Sequence, residues 1–167
     1  MIRSIVIGYL IVLCAGFAHA QGGSSLNIQG TEYKSACSPG NRKKLQQSVK
    51  RMAGKTRDPN GAWRLVETLL CASYSKTSRN YLTSILPPKI RTKSSGTGQD
   101  DTSELIRTDS KLIRSLLENG KAWDATISSE STGIVLSYYP NEACVNSRTL
   151  KFTNKRWRIV EIGGACD

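Results

Sequence analysis

The sequence predicts an α+β domain in which N-terminal helices pack on a C-terminal antiparallel β-meander, held by two disulfides. Three observations lead to this fold class. Apolar residues recur at helical intervals between residues 41 and 118. Apolar and polar residues alternate over most of residues 123–166, as in strands with one buried face. Four of the five cysteines lie beyond the N-terminal leader, an even number that suits two bridges.

Residues 1–20 have the layout of a secretory signal peptide. Arg3 precedes an apolar run, and Ala18-His19-Ala20 provides small residues before a cleavage site. The apolar run is too short for an ordinary membrane span, so no membrane span is expected. We therefore expect cleavage after Ala20 and a periplasmic or secreted protein. Residues 21–36 are predicted to form a flexible lead-in, and residues 37–167 a single α+β domain.

Three helical segments are predicted in the first half of the domain. The first follows a cap at Asn41, carries an apolar stripe and ends at Gly54. The second opens at Asp58-Pro59, where aspartate caps and proline occupies the first turn. A shorter helical turn over residues 78–86 ends at Pro87-Pro88 because proline cannot continue a helix.

Residues 91–103 are predicted to form a mobile surface loop, because they fit neither a phosphate loop nor a calcium loop. Asp101 and Glu104 resemble the start of a capping box. Apolar residues then recur at helical intervals as far as Asn119-Gly120. The pattern predicts a further substantial helix over residues 104–118, either continuous or broken near Thr108.

The meander begins with strands over residues 123–128 and 133–139 and ends in a hairpin. Its turn is predicted at Asn154-Lys155. That register places Phe152 opposite Trp157, Leu150 opposite Ile159 and Arg148 opposite Glu161. The first two pairs are apolar, and the third is expected to be an ion pair.

The same register predicts the disulfides. It sets Cys144 opposite Ala165, and a bulge at Gly163-Gly164 would bring Cys166 into line. A Cys144–Cys166 bridge is therefore expected, which leaves Cys37 to pair with Cys71. A shifted hairpin with another cysteine pairing is the alternative.

Histidine is absent beyond the leader, since His19 is the only one in the chain. This excludes Ser-His-Asp and Cys-His catalysis and histidine-ligated zinc from the secreted protein. If the cysteines are oxidised, thiolate chemistry is lost as well. We predict no catalytic residue, no metal and no cofactor. Paired carboxylates remain the one catalytic arrangement open, with candidates at Asp100, Asp101, Glu104 and Asp109.

Positive charge dominates the composition. The chain has 24 Lys and Arg residues against 13 Asp and Glu, a formal net charge of +11, and loss of Arg3 with the leader lowers it by one. Such a surface attracts anionic partners. The first predicted helix concentrates cations, and neighbouring tyrosines on a strand point to opposite faces. The predicted partner-binding residues are Arg42, Lys43, Lys44, Lys50, Arg51, Tyr138 and Tyr139. The alternative for the helix is an ordinary solvated face.

The order of elements resembles the cone-shaped α+β roll of the cystatin-like, nuclear-transport-factor-like superfamily. The resemblance covers residues 58–162. It rests on the helix over 59–72, the helical stretch over 104–118, and Trp157 and Ile159 in the last strand. It implies a concave sheet face able to hold a ligand or a partner's loop. Catalytic members commonly use His or Asp inside the cone, and without a histidine no active site is carried over.

Small size, an export signal and disulfides are also similar to periplasmic immunity proteins and enzyme inhibitors of bacteria. We therefore predict an exported, non-enzymatic protein that neutralises or regulates a partner with an acidic face, such as a toxin or hydrolase. One alternative is a basic envelope protein that binds an anionic polymer, either nucleic acid or glycopolymer. A carboxylate-based hydrolase is the other.

Overall fold

The computed structural model describes residues 25–28, 36–55, 57–96, 99–118, 122, 124–130 and 133–166. The predicted signal peptide, its cleavage site and Trp123 lie outside these ranges. Within them are four helices: α1 (Pro39–Ala53), α2 (Pro59–Cys71), α3 (Lys76–Ile85) and α4 (Ser110–Leu117). The strands are β1 (Ser25–Ile28), β2 (Lys89–Gly96), β3 (Gln99–Arg107), β4 (Ala125–Glu130), β5 (Gly133–Asn141), β6 (Cys144–Thr153) and β7 (Arg156–Cys166). The α+β class is confirmed.

The seven strands form one mixed sheet in the order β1-β4-β5-β6-β7-β2-β3. Strands β4 to β7 are the predicted antiparallel meander. Strand β2 then pairs with β7 in parallel, and β3 closes that edge of the sheet. The specific cone-shaped arrangement stays a prediction. None of the described helices has the length and apolar character of a membrane-spanning helix.

Helix α2 starts as its sequence predicts. The Asp58 carboxylate accepts a hydrogen bond from the Gly61 N–H at 3.0 Å, with Pro59 in the first turn. Helix α1 differs slightly, because it begins at Pro39, ahead of the predicted cap at Asn41. Helix α3 covers the predicted shorter helical turn.

The C-terminal hairpin turns at Asn154 and Lys155, which have φ values of 51° and 60°. Two positive φ values in succession match the twist of the strands that a tight hairpin joins. Phe152 lies opposite Trp157, and Leu150 opposite Ile159, so the predicted register is confirmed next to the turn.

The predicted bulge exists, but its position and the Arg148–Glu161 pair were wrong. The register shifts between Thr149 and Leu150, where β7 has Val160 as an extra residue. Arg148 therefore lies opposite Ile162, and Glu161 lies opposite Thr149 on the other face. The shift also brings Cys144 directly opposite Cys166, and these two residues are bridged. Cys37 and Cys71 form the second predicted bridge.

Two further predictions were wrong. Residues 91–103 belong mostly to the β2–β3 hairpin rather than to a loop, and Glu104 to Arg107 continue β3 instead of starting a helix. Helix α4 begins only at Ser110, where the Asp109 carboxylate accepts from the Leu112 N–H at 2.8 Å. The segment from residue 104 changes from strand to helix at Thr108, whose N–H and hydroxyl bind the carbonyls of Pro88 and Pro87.

Part of the predicted lead-in is also structured. Ser25–Ile28 pairs with β4 as an edge strand, and Ala36 is fully buried. The Ala36 N–H donates to the Ala122 carbonyl at 2.8 Å, just before Cys37 enters its disulfide. These contacts tie the described parts of the lead-in to the domain.

The sheet has one covered face and one open face. Its covered face carries Ile127, Leu136, Leu150, Trp157 and Ile159 into the core shared with the helices. The indole Nε1 of Trp157 donates to the Asp58 carbonyl at 3.1 Å, which joins β7 to the start of α2. Side chains at alternate positions are half-buried or exposed, so no described helix covers the other face.

Candidate binding surfaces

The helix surface comprises the five cations predicted on α1: Arg42, Lys43, Lys44, Lys50 and Arg51. Leu45 and Val49 are completely buried and fix the opposite side of the helix against the core. Lys50 is half-buried and the other four cations are exposed. Arg42 forms an ion pair with Glu67 of α2. The helix therefore presents a predominantly positive solvent side.

A recess of about 330 Å³ adjoins the helix surface. Its lining residues are Cys37, Pro39, Arg42, Lys43, Gln46, Trp63 and Glu67. Trp63 is only 7% exposed, so it supplies part of an apolar floor beneath charged walls. The Cys37–Cys71 disulfide ties the segment before α1 to the end of α2, and these two helices carry most of the lining. The recess is thus built from cross-linked elements.

The two adjacent tyrosines have different environments. Tyr138 is fully buried, whereas Tyr139 is 47% exposed. The prediction that they point to opposite faces is confirmed. Tyr138 as a partner-binding residue was wrong, because strand alternation directs its ring into the core. Tyr139 stays a prediction on the open face of the sheet.

The open face carries a second group of cations, which the sequence interpretation missed. We call it the sheet surface; it consists of Lys89, Arg91, Lys93, Arg107, Lys151, Arg156 and Arg158. Strand registers place Lys89 opposite Arg107, and Lys151 opposite Arg158. Lys151 and Arg158 are half-buried and the other five are exposed. The alternation of cations in Lys89-Ile90-Arg91-Thr92-Lys93 was the strand signal that could have revealed it.

Acidic charge is scarce on the sheet surface. Among the described side chains at outward positions of β2, β3, β6 and β7, Glu161 is the one carboxylate. It lies 3.4 Å from the Lys93 ammonium and 3.9 Å from the Arg91 guanidinium. Next to it is a depression of about 180 Å³ lined by Lys93, Ser94, Val145, Ser147, Gly163, Gly164 and Ala165. The surface is therefore shallow and strongly positive.

Arg148 lies on the covered face and does not belong to the sheet surface. It is 6% exposed, its Nη1 donates to the Gly163 carbonyl at 2.8 Å, and its guanidinium lies 5.4 Å from the centre of the Tyr138 ring. Burial lowers the pKa of Arg148 and raises the pKa of Tyr138, although their mutual interaction opposes both shifts. These contacts favour a structural role in joining β6 to β7.

The candidate carboxylates belong to two different elements. Asp100 and Asp101 lie in β3, and Glu104 is an exposed residue three to four positions further along it. An extended strand places the Cα atoms of such positions roughly 10–13 Å apart. Asp109 caps α4. No cluster of metal-binding side chains occurs within the described ranges.

Comparison with known proteins gives no relative on which a function could be based. No family model, curated protein or solved structure matches the chain.

Proposed function

We propose that this protein is an exported, non-enzymatic binding protein that neutralises or regulates an acidic protein partner, as inhibitors and immunity proteins do. The observation that supports it is the recess at the helix surface. Arg42 and Lys43 form charged walls beside the indole of Trp63 in a concave site. Protein interfaces are typically anchored by one side chain that fills such a pocket and are ringed by polar contacts.

The covalent link beside the recess supports a protein partner. The Cys37–Cys71 disulfide ties together the elements that line it before any partner arrives. A preformed site loses less conformational entropy on binding, so more of the contact energy contributes to affinity. Lys43 lines the recess and is exposed, and Lys44 and Arg51 are exposed elsewhere on α1, where they would speed association with an acidic face.

The proposed mechanism is occlusion by surface complementarity. An apolar or aromatic side chain of the partner enters the recess and packs on Trp63. Acidic residues around that side chain pair with the walls and with the exposed lysines. The partner's own site is blocked because the α1–α2 side of this domain covers it.

A capture experiment tests the proposal. The disulfide-bonded chain is immobilised, exposed to envelope and secreted-protein extracts, and washed at roughly 0.5 M salt, where exposed charges are strongly screened. We expect one protein to be retained. Gln46→Trp, which fills the recess, and Lys43→Glu/Lys44→Glu, which reverses the rim, should each reduce its retention at least tenfold.

The matched control is Lys76→Glu/Lys111→Glu, which makes the same charge change at exposed positions of α3 and α4. It should retain the partner as the parent chain does. Equal loss in the control and the helix-surface variants would contradict the proposed site. Recovery of salt-sensitive nucleic acid or glycopolymer alone would contradict the protein partner and favour the polymer-binding alternative.

A further inference from the structure

We propose that the sheet surface binds a linear polyanion, meaning a flexible polymer with an anionic group on each repeat unit. Phosphate and uronate polymers share this chemistry. The site is separate from the helix surface, because α1 packs with the covered side of the sheet and these cations lie on the open side. The inference does not depend on the proposed protein partner.

The cations of the sheet surface are regularly spaced along their strands. Lys89, Arg91 and Lys93 occupy alternate positions of one strand, so their attachment points repeat at roughly 6.4–6.8 Å. Arg156 and Arg158 repeat the pattern on β7, the strand beside β2 in the sheet. Rows of cations at regular intervals match a polymer whose charges also recur at regular intervals.

Positive charge is in large excess on the sheet surface. The sheet surface has seven cations and one described carboxylate, Glu161, which already interacts with Lys93 and Arg91. The registers bring cations into direct opposition at Lys89–Arg107 and Lys151–Arg158. Like charges placed opposite each other on a sheet are unfavourable. A bound polyanion would relieve this repulsion and release its counterions.

The shape and composition of the surface favour a polymer over a protein. Described outward side chains of β2, β3, β6 and β7 include no aromatic ring, and the depression beside Gly163 holds only about 180 Å³. A protein partner usually buries an anchor side chain in a deep pocket, and this depression is shallow. Stacking of single-stranded bases is equally unsupported, because no aromatic platform is present among those side chains. Charge is therefore the recognised feature, with Ser147 and Thr149 as hydroxyl donors nearby.

The test is fluorescence anisotropy over a range of salt concentrations with three probes. They are an inorganic polyphosphate chain, a single-stranded DNA oligonucleotide and a polyuronate, each labelled at one end. We expect binding of at least one probe and no dependence on DNA base sequence. Preference for polyphosphate and DNA would identify phosphate as the anion, and preference for polyuronate would identify a carboxylate glycan.

The variants locate the site. Lys89→Gln/Arg91→Gln/Lys93→Gln should weaken binding at least tenfold near 0.1 M salt and make the slope of log K against log salt less negative by about 2. The control Lys76→Gln/Arg79→Gln/Lys111→Gln removes the same charge from exposed positions of α3 and α4 and should change the slope by less than half as much. Thermal unfolding verifies that each variant folds. If the β2 variant does not, Lys151→Gln/Arg156→Gln tests the same surface.

Two results would overturn the inference. One is equal weakening by the sheet-surface and control variants, which would mean attraction by net charge alone. The other is no binding of any probe by the parent chain. Neither result bears on the helix surface, which all these variants leave intact.

Discussion

The carboxylate of Glu161 lies 3.4 Å from the ammonium of Lys93, across the parallel pair of β7 and β2. The Lys93 side chain is 58% exposed, so this ion pair contributes no more than about 1 kcal/mol to stability. Its main effect is electrostatic, because it places a negative charge among the cations of the sheet surface.

Glu161→Gln is therefore expected to strengthen polyanion binding several-fold. It should also make the slope of log K against log salt more negative, by the amount expected for about one additional charge contact. Anisotropy titrations with the probes above measure both quantities. Glu118→Gln removes the same charge beyond the end of α4 and should have a smaller effect. Weaker binding by Glu161→Gln would show that the carboxylate organises the site instead of opposing the ligand.

Trp157→Phe is expected to destabilise the domain by roughly 2–3 kcal/mol. The indole is 3% exposed and its N–H is shared between the carbonyls of Arg57 and Asp58, so the change leaves a cavity and two carbonyls with one partner fewer. Urea unfolding measures the free energy of unfolding. Phe152→Leu, at the half-buried position opposite, should cost less than about 1.5 kcal/mol. A larger cost at Phe152 would contradict this account of how β7 is held to α2.

Asp58 combines a helix cap with a left-handed backbone, at φ 48°. Asp58→Ala should lower the free energy of unfolding by about 1–2 kcal/mol, because alanine supplies no acceptor and tolerates positive φ poorly. Asp58→Asn keeps both properties and should cost less than about 0.5 kcal/mol. The pair is compared by urea unfolding. Equal losses would mean that the carboxylate charge matters more than the cap.

Alkaline stability should depend on Tyr138. Burial raises the pKa of Tyr138, and the nearby charge of Arg148 only partly offsets it. As pH rises through the ordinary tyrosine pKa, about 10, the unfolded chain loses its phenolic proton while the folded chain keeps it. Deprotonation then favours unfolding, so stability is lost above that pH.

Tyr138→Phe removes this contribution and should make the decline above pH 10 shallower. Urea unfolding at several pH values between 8 and about 11 gives the slope. The neighbouring change Tyr139→Phe, at a 47% exposed ring, is the control and should leave the slope as in the parent chain. A slope unaltered by Tyr138→Phe would show that this phenol does not contribute. The pKa of Tyr81 is also raised by burial, so Tyr81→Phe should act in the same direction.

Elements with strong local signals could be predicted from the sequence. Asp58-Pro59 begins a helix through its own side chains, and Asn154-Lys155 makes a turn whose two strands are neighbours in the chain. The bulge could be inferred from the cysteines but not located. It lies at Val160, whereas glycines 163 and 164 had suggested another place.

Gly163 has a different role. A side-chain carbon there would lie 2.3 Å from the Ser147 Oγ, so glycine leaves room for the side chain opposite it. Such a requirement depends on a partner strand, and the sequence around Gly163 does not show it.

Of the two candidate surfaces, one has a local sequence signal and the other depends on contacts between distant segments. The helix surface could be predicted because its five cations lie within ten residues of one helix. The sheet surface could not, because its cations come from four strands between residues 89 and 158 and meet only through the parallel pairing of β2 with β7. That pairing joins segments about 70 residues apart, so local periodicity carries no information on it.

Site-specific photocrosslinking tests the central claim most directly, namely that the recess at the helix surface holds an acidic protein partner. A photoreactive residue no larger than glutamine, an aliphatic diazirine amino acid that does not fill the recess, is placed at Gln46 and separately at the exposed Thr83 of α3. Each disulfide-bonded chain is irradiated in envelope and secreted-protein extracts. We expect one acidic protein to crosslink from position 46 and to be absent or much weaker from position 83. The same products from both positions, or none from position 46, would contradict the account.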